Sequence, residues 1–210
     1  MAQFLKNEVK DQIKDSAINV FTEKGYQKAS IKEIADDAGV SVGNVYRYYK
    51  NKEDLYSHVI ENVVDGLNRV MIHEFDRKEL GLSYGSDEEV KMLHSRLYKP
   101  MEEFIQLYRQ ERLVFNMLLK GERDLHYKMT IQHFINLLKE NLFRLWNRNE
   151  TISFDMVEVS AFTNAVVFGV IDLLEKVDEE ELDYRLTNFV VAMVNGYFYV
   201  KKKMEATDEE

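Results

Sequence analysis

One proline in 210 residues, Pro100, and apolar side chains recurring at helical spacing along most of the chain leave room for one fold class, all-α. The first stripe is Val9, Ile13, Ala17, Val20 and Phe21, one face of a helix that ends at Lys24-Gly25-Tyr26. Glycine there tolerates a left-handed backbone, and the tyrosine can fold back on the helix. Ser30-Ile31-Lys32-Glu33 predicts the next start, because serine and a glutamate three residues on can cap each other's amides. That helix runs to about Ala38 and stops at Gly39. Ser41 caps a short helix through about Tyr49. Asn51, with Asp54 three residues later, opens a long helix through about Phe75.

Farther on, Gly81, Ser83, Gly85 and Ser86 predict a loop over 77–87. Helix resumes near Glu88, and Pro100 either starts a new helix or kinks the old one. Gly121 separates that stretch from a helix over 124–146. Two final helices carry Val159, Phe162, Val166, Val170, Leu173 and Leu174, then Leu182, Leu186, Phe189, Val190, Met193 and Tyr197. Asp178-Glu179-Glu180-Glu181 between them reads as a solvated acidic turn. The longest uncharged run, 186–200, is shorter than the roughly 20 apolar residues of a membrane-spanning helix, and the N-terminal region has no secretory pattern. A cytoplasmic location without membrane attachment is expected. The absence of cysteine excludes disulfides, thiolate metal sites and a cysteine nucleophile.

The net charge of −9 is unevenly divided. Residues 1–60 hold equal numbers of acids and bases, so the rest carries the whole excess. Within the neutral part, residues 38–52 contain Arg47, Lys50 and Lys52 and no acid, a local cationic patch of the kind phosphates attract. The same stretch carries Ala35, Gly39 and Val45, spaced Ala-x3-Gly-x5-Val. A small residue where two helices cross, a permissive backbone at the bend and an apolar plug opposite are the steric needs of a helix-turn-helix. An ordinary helical hairpin meets them too.

The segment resembles the DNA-binding domain of TetR-family transcriptional regulators. The resemblance rests on Phe21, Gly25 and Tyr26, then Ser30-Ile31, Ile34-Ala35, Ala38-Gly39-Val40-Ser41, Gly43, Val45-Tyr46, Tyr48-Tyr49, Lys52-Glu53 and Leu55. It covers about residues 8–60. It implies an N-terminal three-helix helix-turn-helix DNA-binding domain, 1–52, and a C-terminal helical ligand-binding and dimerisation domain, 53–210, connected by the helix over 53–75. The helix from Ser41 would lie in the major groove of double-stranded DNA with Val42, Gly43 and Asn44 nearest the base edges. Asn44 can pair with adenine, and Gly43 lets the backbone come close. Arg47 suits guanine or phosphate, its position favouring phosphate. By the resemblance Tyr46 and Tyr48 contact phosphates, and so does Lys52 beside a helix amide end. Lys32 reaches base or backbone, and Tyr49 packs.

For the acidic remainder the resemblance implies a homodimer and a small-molecule effector, with repression the usual outcome. Ala165, Gly169, Ala192 and Gly196 would let the last two helices approach a second copy, although their apolar faces can equally bury within one domain. Candidate pocket residues are Tyr98, Met101, Phe104, Ile105, Tyr108, Phe115, Met117, Leu118, Tyr127, Phe134, Leu138 and Phe162. Such a lining suits an apolar or amphipathic ligand, while the same stripe makes an ordinary core. His126 and His133 share a helix face without a third ligand, and His73, Glu74 and Asp76 read as a surface cluster. No metal site, cofactor or catalytic constellation is expected. The competing readings are an enzyme or carrier with a mimicking hairpin, and a DNA-bound scaffold that recruits a protein partner.

Overall fold

The structure, a computed structural model, describes residues 2–75, 86–120, 125–147 and 154–208. Most of the loop expected over 77–87, Asp76, Gly121, Glu209 and Glu210 lie outside the described residues, as do the side chains of His73, Glu74, His126, Tyr127 and Asp208. Nine helices account for nearly all described residues, with no strand among them. They are α1 (Ala2–Lys28), α2 (Ile31–Asp37), α3 (Val42–Tyr48), α4 (Lys52–Phe75), α5 (Asp87–Gln110), α6 (Arg112–Lys120), α7 (Leu125–Trp146), α8 (Met156–Lys176) and α9 (Glu179–Asp208).

Of the two readings of Pro100, a new start is not seen: it lies inside α5. Two other local expectations change. The stretch before Gly121 is divided at Glu111, a break with no glycine or proline to announce it. Of the acidic turn, only Asp178 is linker. Glu179, Glu180 and Glu181 form the first turn of α9, where carboxylates are favoured by the positive end of the helix dipole.

The chain divides into two compact units, 1–66 with 107–131, and 67–106 with 132–210. The first buries the predicted α1 stripe, Ile13, Ala17 and Phe21, with Ile34 and Ala35 of α2, Val45 of α3 and Leu55, Val59 and Val63 of α4. α1 also packs on α6. α1 is broken where the sequence indicates: Gly25 has φ 72 and ψ 162, a conformation essentially restricted to glycine, before a last turn through Lys28.

The second unit is organised around the single tryptophan. Trp146 packs against Phe198 at 4.8 Å, Phe154 at 4.9 Å and Phe162 at 5.0 Å between ring centroids. Leu93, Leu142, Val159, Val166 and Val191 complete the buried cluster. Asn147 joins the end of α7 to Phe154 by accepting from its amide and donating to its carbonyl, both at 3.1 Å. Asp155 and Glu158 form a reciprocal cap on α8, and Lys201 of α9 bonds Glu158 at 2.7 Å. Among the described helices, α8 is long and apolar enough to cross a membrane by length and composition, with mean hydropathy 1.7 over its most apolar stretch. Counting uncharged runs overlooks it, because acids interrupt it at Glu158 and Asp172. Part of its apolar surface goes into the tryptophan cluster, and Gly169 accommodates Phe189 of α9: a Cβ there would stand 2.2 Å from the ring. Gly169 therefore serves packing inside the chain.

Candidate nucleic-acid interface

The site is built from α2, the turn after it and α3. Ser30 starts α2 as its spacing predicts: its hydroxyl accepts from the Glu33 amide at 3.2 Å, and Glu33 accepts from the Ser30 amide at 2.9 Å. Glu33 also receives a hydrogen bond from Lys24 of α1 at 2.7 Å. That bond, followed by those from Ser30, holds the Glu33 carboxyl down at about 2 and pushes the Lys24 ammonium above its ordinary range.

The end of α2 sets the angle of α3. The Val40 amide donates to Ala35 O at 2.9 Å and the Gly39 amide to Asp36 O at 3.2 Å, a Schellman arrangement. It needs a left-handed residue between them, and Gly39 has φ 64. Ser41 then caps α3 by accepting from the Asn44 amide at 3.2 Å. Val45 is fully buried and fastens the inner face of α3, with Tyr49 just beyond the helix. Burial pushes the Tyr49 hydroxyl up to about 12, with Asp11 and Asp54 adding to the shift. Tyr49 is therefore a packing residue, as expected.

With that face buried, α3 turns Val42, Gly43, Tyr46 and Arg47 outward. Tyr46 is 53% exposed. Asn44 and Tyr48 are half-buried along the side, Ser41 is exposed at the start of α3, and Lys32 is exposed on α2. Gly43 is exposed, and among the described residues an added Cβ would meet only the Ser41 hydroxyl oxygen, at 3.9 Å.

Lys52 is placed differently from the other candidates. Its ammonium donates to the carbonyl oxygens of Tyr26 at 2.7 Å, Ala29 at 2.8 Å and Gln27 at 3.3 Å. It also lies 4.4 Å from the centroid of the Tyr26 ring. Neighbouring Asn51 caps α4, accepting from the Asp54 amide at 2.8 Å, and Asp54 accepts from the Lys50 amide at 2.8 Å. Sequence reading found the cap and missed the carbonyl cradle, which depends on how α1 is broken at Gly25.

The pocket candidates fall in both compact units. Tyr108, Phe115, Met117 and Leu118 are buried in the first. In the second, Phe162 is part of the tryptophan cluster, Ile105 and Phe134 are buried, and Met101, Phe104 and Leu138 are half-buried. Tyr98 is exposed. The Tyr127 side chain lies outside the described residues. His133 is exposed on α7, and among the described residues no three acidic or histidine side chains gather as a metal site.

Residues 13–59 match the family of bacterial regulatory proteins, tetR family. Over 102 residues the chain is 28% identical to the negative transcriptional regulator IcaR of the biofilm operon icaADBC in Staphylococcus epidermidis, covering 49% of this chain and 52% of that one. The chain thus spans about half the length of the curated relatives it matches. Among solved structures, NalD of Pseudomonas aeruginosa, the secondary repressor of the MexAB-OprM multidrug efflux pump, superposes with a TM-score of 0.61 at 20% identity, over 91% of this chain and 97% of NalD. FadR of Bacillus subtilis in complex with stearoyl-CoA gives 0.58 at 22% identity, over 88% and 97%. These likenesses extend the shared fold beyond the helix-turn-helix.

Proposed function

We propose that the chain is a cytoplasmic, DNA-binding transcriptional repressor of the tetR family, a reading supported by the match of residues 13–59 to that family of bacterial regulatory proteins. Residues 1–52 are the DNA-binding domain and 53–210 the effector and dimerisation domain. The observation that carries this reading is the outward face of α3: Val42, Gly43, Tyr46 and Arg47, on a helix held by Val45. Asn44 reads adenine and Gly43 admits the backbone to the groove floor. Tyr46, Tyr48, Arg47 and Lys32 contact phosphates and fix the register.

The working unit is a homodimer on a near-palindromic operator, with half-sites spaced by whole helical turns, roughly 34–36 Å or multiples of it. What supports pairing through the last two helices is their surface. α8 exposes Val157, Ala161, Ala165 and Phe168 along one face, and α9 exposes Tyr184, Ala192, Gly196 and Tyr199. Self-complementary pairing of these faces would form a four-helix contact. The effector is an apolar or amphipathic small molecule, a reading supported by Met101, Phe104, Phe134 and Phe162 in the second unit. Its binding favours a dimer state whose recognition helices miss the half-site spacing. A coupling of about 1–3 kcal/mol changes operator affinity by roughly 5- to 150-fold.

The test is selection of operators from random duplexes by the purified protein at two salt concentrations, repeated with Arg47→Ala. A palindromic site is expected, with affinity falling steeply with salt and a shallower salt dependence in the variant. Failure to enrich any duplex at low salt overturns the reading.

A further inference from the structure

We propose that Lys52 is a positioning residue whose ammonium clamps both ends of the helix-turn-helix together and thereby sets the attitude of α3. The inference rests on the DNA-binding reading above. Tyr26, Gln27 and Ala29 immediately precede Ser30, which caps α2, and Lys52 opens α4, three residues after Tyr49 closes α3. The two recognition elements are therefore a loop of chain whose entry and exit meet at one side chain. An ammonium has three N–H donors, and three carbonyl oxygens accept from it: Tyr26, Ala29 and Gln27.

The electrostatics explain why lysine stands there. A cation in the first turn of a helix is opposed by its own helix dipole, and Glu53 and Asp54 beside it are the residues that dipole favours. Lys52 is compensated by the other helix. The carbonyls at the end of α1 form its negative pole, and the break at Gly25 brings them within reach. Under the clamp, Tyr26 packs edge-on against Tyr56 of α4 at 5.1 Å, and Phe21 against Tyr56 at 5.4 Å, so an aromatic seam continues the α1–α4 join. A phosphate contact from the same ammonium would have to draw it away from carbonyls it already holds. The clamp acts on DNA affinity through α3, without itself touching the nucleic acid.

The experiment compares the full-length protein with Lys52→Met, which keeps the stem over Tyr26 and removes the donors, and Lys52→Arg, which keeps the charge but spreads its donors in a planar fork. Amide hydrogen exchange of the free protein and operator affinity across a salt series are read well below the unfolding temperature. The clamp predicts that K52M remains folded and exchanges faster over residues 30–49. It should bind the operator roughly 10-fold or more weakly, the scale of lost charge-assisted hydrogen bonds, with the slope of log affinity against log salt unchanged. Loss of a phosphate contact would instead reduce that slope by about 0.9, and a residue that only stabilised the fold would leave the affinity of folded protein as it was. Either result overturns the clamp. If K52M does not fold, K52R decides: weakened binding at an unchanged slope supports the clamp, and wild-type affinity with wild-type exchange overturns it. If the wild-type protein binds no duplex, the DNA-binding reading falls, and the exchange comparison alone decides whether Lys52 holds α2 and α3.

Discussion

Glu33 takes part in two contacts at once: it closes the cap on α2, and it accepts a hydrogen bond from Lys24 of α1. Its carboxyl is held at about 2 against an ordinary 4.5, so the folded state binds its proton less tightly than the unfolded chain does. For a depressed carboxyl the stabilisation is complete above the unfolded value and is lost as pH falls through the folded one. Denaturant midpoints should therefore fall for the wild type between about pH 4.5 and 2, and Glu33→Gln should lose less over that window. Equal losses would show that the ion pair contributes nothing to folding. Gly43→Ala tests the opposite kind of residue. The added methyl meets no close atom, and alanine is the better helix former by up to about 1 kcal/mol. Urea unfolding should show equal or greater stability and operator titration weaker binding. A less stable variant would show that the chain itself needs this glycine. The cap was legible in the sequence because Ser30 and Glu33 lie within one turn. The Lys24 and Lys52 partnerships were not, since both depend on the path the chain takes after Gly25.

Helix boundaries followed the same division between local and distant causes. The Gly39 turn and the Ser41 and Asn51 caps are written in adjacent residues, and so is the cap of α8 at Asp155, which sequence reading did not single out. The division of α5 from α6 at Glu111 is not, and Pro100, which could start a helix or kink one, lies inside α5. Periodicity marked Phe162, Val166 and Tyr197 as core-facing, but the role of Trp146 depends on rings from α7, α8, α9 and Phe154 meeting in space. At this scale Gly25 sets the break between the long part of α1 and its last turn, the turn that supplies carbonyls to Lys52. Its φ and ψ fall where a Cβ costs about 1–3 kcal/mol. Gly25→Ala should lower unfolding free energy by that amount in urea titration, whereas alanine at an ordinary helical glycine would raise it. An unchanged midpoint would show that the last turn can re-form as continuous helix.

The whole molecule poses the question of what covers the outer faces of α8 and α9. Phe168 is 54% exposed and Val157 77%. They stand on the same face of α8 as Ala161 and Ala165, while the opposite side of that helix is closed by the tryptophan cluster. Small residues beside one large ring let two helices come close with a single anchor between them, the pattern in which a few residues carry most of the binding energy. Phe168→Glu places a charge in that anchor position, where a paired copy would have to bury it without a partner. Because Phe168 is not part of the buried core, its replacement should leave the helical circular dichroism and the urea midpoint of dilute protein unchanged. Light scattering coupled to size exclusion should show the wild type as a dimer and the variant as a monomer. Operator affinity should then divide: binding to a full palindrome falls steeply, because the second half-site no longer benefits from being tethered to the first, while affinity for an isolated half-site is retained. A variant that stays dimeric would place the interface elsewhere. A monomeric variant that keeps full palindrome affinity would remove the dimer from the recognition mechanism and leave α3 to act alone.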